Sequence, residues 1–472
     1  MPLDATWINR RVPMLDGEFG RDREAQYRAV AHLYNRLLGP VTRVNVLRPD
    51  VTDLPIFTSS CRHSSLGDLF SDLTVKQAIA DAVIVPGGGK GLDVQAAFIG
   101  GLGEIAERLL GVLHFSAVHD LLEFATYEEL VSRGRRALGP DDLPLFAAEQ
   151  YADPRFPYQP FEGDVPLRWL EGVDLITRDR VAVPAQVVLL YYKHHPDEAR
   201  IAYPTTGGLA FHAQPRQAVL HALFEVIERD AINVHWYGRV PPRRVIVDLD
   251  ALGSEEGFGW PTRWSTPDIP EVEVYLNETD LPLPVFTTLA VDPTRTKRAL
   301  LGGGGAGSGR LRALVQSLFE LGQTRTSLKH YRSMGLKHIR ADSTVSEMTD
   351  FFDTAIYYGY AENLHHLDWY RQTAEAVEWK DVVDHSFADP AAEYESVMRW
   401  VEEAGLTPIE FDFSGACWPG VWVTKVVIPQ LTQACVPSHP YLGHPRFFEM
   451  PFQRADRVLA FGDLNPNPVP FP

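Results

Sequence analysis

Residues Thr205–Asp230 read TTGGLAFHAQPRQAVLHALFEVIERD, a glycine turn followed by an apolar run that carries two glutamates and an arginine. From Arg216 to Val234 the spacing predicts a helix. Ala218, Val219, Leu220, Leu223, Phe224, Val226, Ile227, Ala231 and Ile232 cover most of its circumference, so it is expected to be buried. His221, Glu225, Glu228 and Arg229 then fall at i−4, i, i+3 and i+4, in one stripe along one face. Two like charges side by side in a core are costly unless a partner compensates them. A structural Glu–Arg network meets that requirement, and so does a cation held in a cavity.

Two other segments repeat the arrangement. Gly87-Gly88-Gly89-Lys90-Gly91 precedes an apolar run ending Glu104-Ile105-Ala106-Glu107-Arg108, and Gly302 to Gly309 precedes Leu311 to Arg325 with Glu320 and Gln323. Each reads as a glycine-rich turn about one helix length ahead of polar side chains at i and i+3. Three buried helices pointing carboxylates, amides and arginines into one shared space is the expected result. Carboxylates that chelate Mg2+, beside arginines and a lysine, suit a nucleoside triphosphate. The first run is no P-loop, because GxxxxGK[ST] needs glycine at Ile84 and a hydroxyl at Gly91.

The 472 residues, 45% apolar, suffice for a large core of two to three domains' worth of packing. A formal net charge of −18 argues against nonspecific nucleic-acid binding, which needs a basic face. Cys61, Cys417 and Cys435 are too few and too scattered for a disulfide framework or a zinc site, which points to the cytoplasm. The opening MPLDATWINRR has no apolar signal region and no run approaches a membrane span, so neither secretion nor membrane insertion is expected.

A helix near Arg23–Leu38 and a strand at Val41–Leu47 open the chain, followed by a strand at Asp53–Thr58 and a short apolar element at Ile79–Val85. Leu113 to Phe161 reads as an insertion or linking region, given Gly139-Pro140, Asp153-Pro154 and Phe156-Pro157. Val181–Tyr192 reads as one buried strand. Further strands are expected at Val245–Asp248, Val272–Leu276, Pro284–Val291 and Gly420–Ile428, with helices over His338–Arg371 and Ala391–Glu403. Strands and helices are thus mixed along the chain, giving a mixed α/β or α+β class. The chain ends NPNPVPFP, whose prolines at 466, 468, 470 and 472 impose an extended backbone. It reads either as a frayed tail or as a stiff arm placing a terminal carboxylate in a site.

Taken together, these residues resemble the YcaO proteins, specifically the azoline-forming cyclodehydratases of ribosomal peptide natural-product pathways. The resemblance covers most of the chain after about Asp53. It is carried by Gly89-Lys90-Gly91 with Glu104-x-x-Glu107-Arg108, by the opening stretch with Glu225-x-x-Glu228-Arg229, by Glu320-x-x-Gln323-x-Arg325, and by Pro468-x-Pro470-x-Pro472. It implies an α+β ATP-binding fold, with an N-terminal extension over 1–60, a catalytic domain over 61–465 and a proline-rich tail over 466–472. It also implies that Glu104, Glu107, Glu225, Glu228 and Glu320 hold Mg2+ while Lys90, Arg108, Arg229, Gln323 and Arg325 hold the phosphates of ATP. The tail of Pro468, Pro470 and Pro472 would be needed for ring formation. There are departures: Gly100 stands where the family usually has serine, and Ala210, Ala213 and Gln217 where it shows a Ser/Asn/Glu set.

The implied chemistry begins when a Cys, Ser or Thr side chain of a ribosomal precursor peptide attacks the preceding backbone carbonyl. The oxyanion takes the γ-phosphate, and loss of phosphate leaves a thiazoline or oxazoline. A separate ThiF-like partner would present the peptide, and a homodimer is expected by resemblance. Two other readings stay open: a YcaO protein forming a thioamide or amidine, and a non-catalytic scaffold that binds a partner.

Overall fold

The computed structural model of the chain describes residues 23–37, 39–49, 53–64, 87–190, 192–255, 270–291, 300–335, 338–414, 420–449 and 458–471. Three sheets organise them. The first is β1 (Val41–Leu47), β2 (Phe57–His63) and β3 (Lys90–Gly91), in that order. The remaining strands in chain order are β4 (Glu123–Ala125), β5 (Leu167–Asp174), β6 (Arg180–Pro184), β7 (Leu209–His212), β8 (Arg243–Ile246), β9 (Glu271–Asn277), β10 (Val285–Val291), β11 (Leu300–Ala306), β12 (Ala376–Glu378), β13 (Ile409–Asp412) and β14 (Trp422–Val427). The second sheet runs β4-β5-β13-β14-β7 with β6 on β5, and the third β11-β10-β9-β8-β12. Among the described residues only β8 and β12 of these sheet neighbours pair in parallel, so the class is α+β.

The principal helices are α1 (Arg23–Ala31), α2 (Val94–Val118), α3 (Pro215–Tyr237), α4 (Arg310–Met334) and α5 (Pro390–Glu403). Helices α2 and α3 begin where their sequences allow. Asp93 caps α2, its Oδ1 accepting from Ala96 N at 2.8 Å, and Pro215 occupies the first turn of α3, where its missing N–H costs nothing. α2 packs between the first and second sheets, α3 between the second and third, and α4 against the third while reaching β2 and β3. That sandwiching explains why α3 is apolar nearly all round, with Leu220, Leu223, Ile227, Ala231 and Trp236 buried.

The glycine-rich segments behave differently from the expected turns. Gly302 to Gly305 are not a turn at all but the body of β11, and none of them has a positive φ. Their use is close approach. A Cβ on Gly303 would lie 2.2 Å from Ser317 O, and one on Gly305 2.3 Å from Ala313 O, so one face of the strand lies directly on α4. On the other face a Cβ on Gly302 would meet Pro470 O at 2.3 Å and one on Gly304 would meet Glu228 Oε1 at 2.4 Å. Only in the opening stretch is a left-handed residue required, at Gly208, with φ +76°.

Other expectations shift for local reasons. The strand expected over Val181–Tyr192 stops at Pro184, which lacks the N–H to continue a ladder, and Ala185–Val188 is a helical turn. The strand expected at Asp53 starts at Phe57. His338–Arg371 is broken into short pieces, with a helix over Phe351–Tyr358 capped by Asp350. The region from Leu113 to Phe161 is no insertion: Leu130, Leu138, Leu143, Leu145, Phe146 and Phe161 are buried in the same core as α2. Strand β1 also packs on α2, with Val41 in that core. The Ile79–Val85 element and Cys417 lie outside the described residues.

Candidate active site

The three helices and the turn before β7 enclose one cleft of about 1760 Å³, larger than the roughly 300–1,000 Å³ of an ordinary small-molecule pocket. It has room for a nucleotide and a second substrate. Glu104, Glu107 and Arg108 of α2, Glu225 and Arg229 of α3, and Glu320 and Gln323 of α4 line it, with Lys90 from β3. Glu228 borders the same group. Its Oε1 lies 3.7 Å from Arg229 Nη2, and it shares the field of Lys90 and Glu225. Side chains separated by up to 230 positions are thus brought together, as Lys90 Nζ bonded to Glu320 Oε1 demonstrates.

Local structure fixes each group. Ser59 of β2 donates from Oγ to Ala97 O at 2.6 Å and accepts from Gly89 N at 2.9 Å, which seats Lys90 against the start of α2. Gly208 N donates to Glu225 Oε2 at 3.1 Å. Arg108 lies 3.7 Å from Glu104 and 3.5 Å from Glu107. Burial pushes the Glu107 carboxyl up to about 8 against the opposing pull of Arg108, and pushes Glu228 up to about 7 against Arg229. Burial likewise lowers Lys90. These are carboxyls short of positive charge.

Arg325 is placed elsewhere. Its Nε donates to Asp53 Oδ1 at 3.0 Å, Lys329 bonds the same carboxyl, and Arg325 is not among the cleft-lining residues. Five residues along a helix turn a side chain by about 140°, so Arg325 faces away from Glu320 whereas Gln323 shares its side. Two cations stand outside the sequence motifs: Arg312, whose Nη2 meets His221 Nε2 at 2.8 Å on the cleft wall, and Lys425, a buried lysine within β14. A lysine inside GVWVTKVVI was the available signal for the latter.

The tail enters the same space. Trp236 Nε1 donates to Asn467 O at 2.8 Å and Tyr358 Oη to Pro468 O at 2.7 Å. Pro468 and Pro470 are buried, Phe471 is 3% exposed, and Val469 and Phe471 line the cleft. Pro472 lies outside the described residues.

A family model described as YcaO cyclodehydratase, ATP- and Mg2+-binding, matches residues 88–432. The chain belongs to the YcaO family. A heterocyclase solved in complex with substrate and cofactor superposes on 95% of this YcaO chain and 57% of its own, with TM-score 0.74 and 21% identity. The YcaO protein of Methanopyrus kandleri, bound with AMPPCP and Mg2+, covers 87% of this chain and 89% of its own, with TM-score 0.56 and 19% identity. At such identities the likeness is one of fold. An uncharacterized protein of Methanothermobacter thermautotrophicus is 27% identical over 273 residues, 56% of this chain and 65% of that relative. The chain therefore spans under two thirds of the length of the curated relatives it matches.

The residues present fit the family's ligands. Arg229 Nε and Gln217 Nε2 are buried without a hydrogen-bond partner, and both residues line the cleft. Unsatisfied buried donors of this kind suit phosphate or ribose oxygens. Among the described residues no three carboxylate, histidine or cysteine side chains close around a single metal position. Mg2+ normally takes one or two carboxylates and completes its shell with phosphates and water, which the dispersed glutamates allow. At Gly100 a Cβ would sit in ordinary van der Waals contact, 3.5 Å from Gly89 Cα, so a side chain there meets no clash. Of the other departures, Gln217 faces the cleft while Ala210 and Ala213 are not among its lining residues.

Proposed function

We propose that this YcaO chain is an ATP-dependent cyclodehydratase converting Cys, Ser or Thr of a ribosomal precursor peptide to thiazoline or oxazoline. The observation that carries the reading is the seat of the tail, with Val469 and Phe471 in the wall of the cleft that holds the glutamates. Neither a thioamide-forming nor an amidine-forming reading gives the tail a task.

In this reading Glu104, Glu107, Glu225, Glu228 and Glu320 hold Mg2+, and Lys90, Arg108, Arg229 and Gln323 hold phosphate oxygens. When bound, ATP supplies the phosphoryl group that makes the amide oxygen a leaving group, while Mg2+ neutralises the developing charge. Arg325 is assigned with Asp53 to holding α4 rather than to the phosphates. The substrate nucleophile and the amide nitrogen each lose a proton, which released phosphate and solvent can carry away, and ring closure is proposed to take place against the tail that includes Pro472. Pro468 and Pro470 would fix its direction. A separate ThiF-like protein is proposed to present the peptide to the cleft, whose wall includes β1 and β2.

The test appends a few residues after Pro472. Azoline formation, followed as loss of one water per ring by mass spectrometry, is expected to fall by about 10²-fold, as when a group that positions the substrate is displaced. Nucleotide binding should persist, because its groups lie on β3 and the three helices. Full cyclisation by the extended protein would remove the tail from the mechanism and favour the thioamide, amidine or scaffold readings.

A further inference from the structure

We infer that Lys425 is a positioning residue of the metal site, acting through the Thr205–Gly208 turn on the carboxylate of Glu225. The inference rests on the reading of Glu225 as a Mg2+ ligand. Lys425 is 2% exposed, in the middle of β14, and it is not among the cleft-lining residues. Its Nζ donates to Thr205 O at 2.6 Å and to Gly207 O at 3.1 Å. The neighbouring Val426 N donates to Gly208 O at 2.8 Å. One strand thus holds the turn at three carbonyls, and the turn in return presents Gly208 N to Glu225 Oε2 at 3.1 Å.

The backbone of the turn needs this anchor. Gly208 is left-handed, and a Cβ there would stand 2.3 Å from Val426 O, so the turn is pressed onto β14 with no slack. Buried carbonyls must find donors, and an apolar side chain of similar length at 425 would take this donor from both of them. The ammonium also shares the field of Glu225, Glu107 and Arg108. It supplies positive charge beside the buried carboxyl groups of Glu225 and Glu107. A residue that orients a ligand by a hydrogen bond once removed typically governs metal affinity by about 10–100-fold.

The experiment is a calorimetric titration of the full chain with Mg2+ in the presence of a non-hydrolysable ATP analogue. It compares the parent, Lys425→Met, Glu225→Gln and the double variant. Lys425→Met is expected to raise the Mg2+ concentration for half-saturation about 10–100-fold. Combined with Glu225→Gln it should add nothing further, because both changes act on one carboxylate. Additive losses in the double variant, or a lowered melting temperature with the Mg2+ half-saturation unchanged, would mark a purely structural lysine and overturn the inference. So would wild-type Mg2+ dependence in Lys425→Met when Glu225→Gln has lost binding. Normal binding by Glu225→Gln is a different failure, since it removes Glu225 from the metal site. Should Lys425→Met fail to fold, Lys425→Gln keeps two donors without the charge and carries the same comparison.

Discussion

Glu107 and Glu228 lie in the cleft region with carboxyls pushed by burial to about 8 and about 7, from an ordinary value of 4.5. In the folded, metal-free protein they hold protons that the unfolded chain releases at lower pH. The folded state therefore binds more protons through that interval, and stability without metal falls as pH rises through the folded values. Binding Mg2+ must expel the same protons, so its apparent affinity is expected to increase from about pH 6 to about pH 8. Titrating Mg2+ in buffers with different heats of ionisation checks this, and an absence of proton release near neutrality would take these two carboxyls out of the metal site. Glu228→Gln keeps the shape and drops the charge. That variant is expected to lose Mg2+-nucleotide binding yet, without metal at about pH 8, to melt higher than the parent, by on the order of 1–3 kcal/mol of stability.

Strand β11 separates two functions by the parity of its residues. Gly303 faces the backbone of α4, whereas Gly304 faces Glu228. Gly303→Ala would force strand and helix apart and is expected to cost about 1–3 kcal/mol, as overpacking does. Gly304→Ala would displace a carboxylate, so chemical denaturation should find it less destabilised while Mg2+ titration finds it impaired. Equal effects of both on stability alone would contradict the assignment. The same strand marks a limit of reading from sequence. Four consecutive glycines look like a turn because glycine's usual role is conformational freedom, and nothing local reveals that a helix and a tail press on either face. The stripe on α3 and the pairs on α2 and α4 were legible, because helical periodicity alone puts Glu104 with Glu107, Glu225 with Glu228, and Glu320 with Gln323 on common faces. The orientation of Arg325 was legible from the same periodicity but was overridden by its motif. Arg312 depends on which helices meet, and no spacing reports that, whereas Lys425 is marked in the sequence by a charge inside an apolar strand.

At the scale of the molecule the formal charge of −18 means that, in the proposed function, local cations Lys90, Arg108 and Arg229 would hold a polyanionic nucleotide against the overall field. Mg2+ and nucleotide together are expected to raise the melting temperature, with a stabilisation near 2.7 kcal/mol at a hundredfold excess over the dissociation constant, and chelating the metal should abolish it. For the reaction, leader-bearing peptide is expected to be processed slowly by the isolated chain and faster when the ThiF-like partner is added, read by mass spectrometry. Efficient turnover without it would overturn the partner assignment. The meeting of α2, α3 and α4 at the cleft also has a kinetic side. Its walls come from residues near 90, 104, 225, 320 and 471, so no local segment contains a binding site and the long loops between them must close first. Nucleotide therefore finds nothing to grip until folding is nearly complete. Added Mg2+-nucleotide should leave the refolding rate unchanged and slow unfolding alone, so the bound ligand prolongs the life of the native chain without hastening its birth.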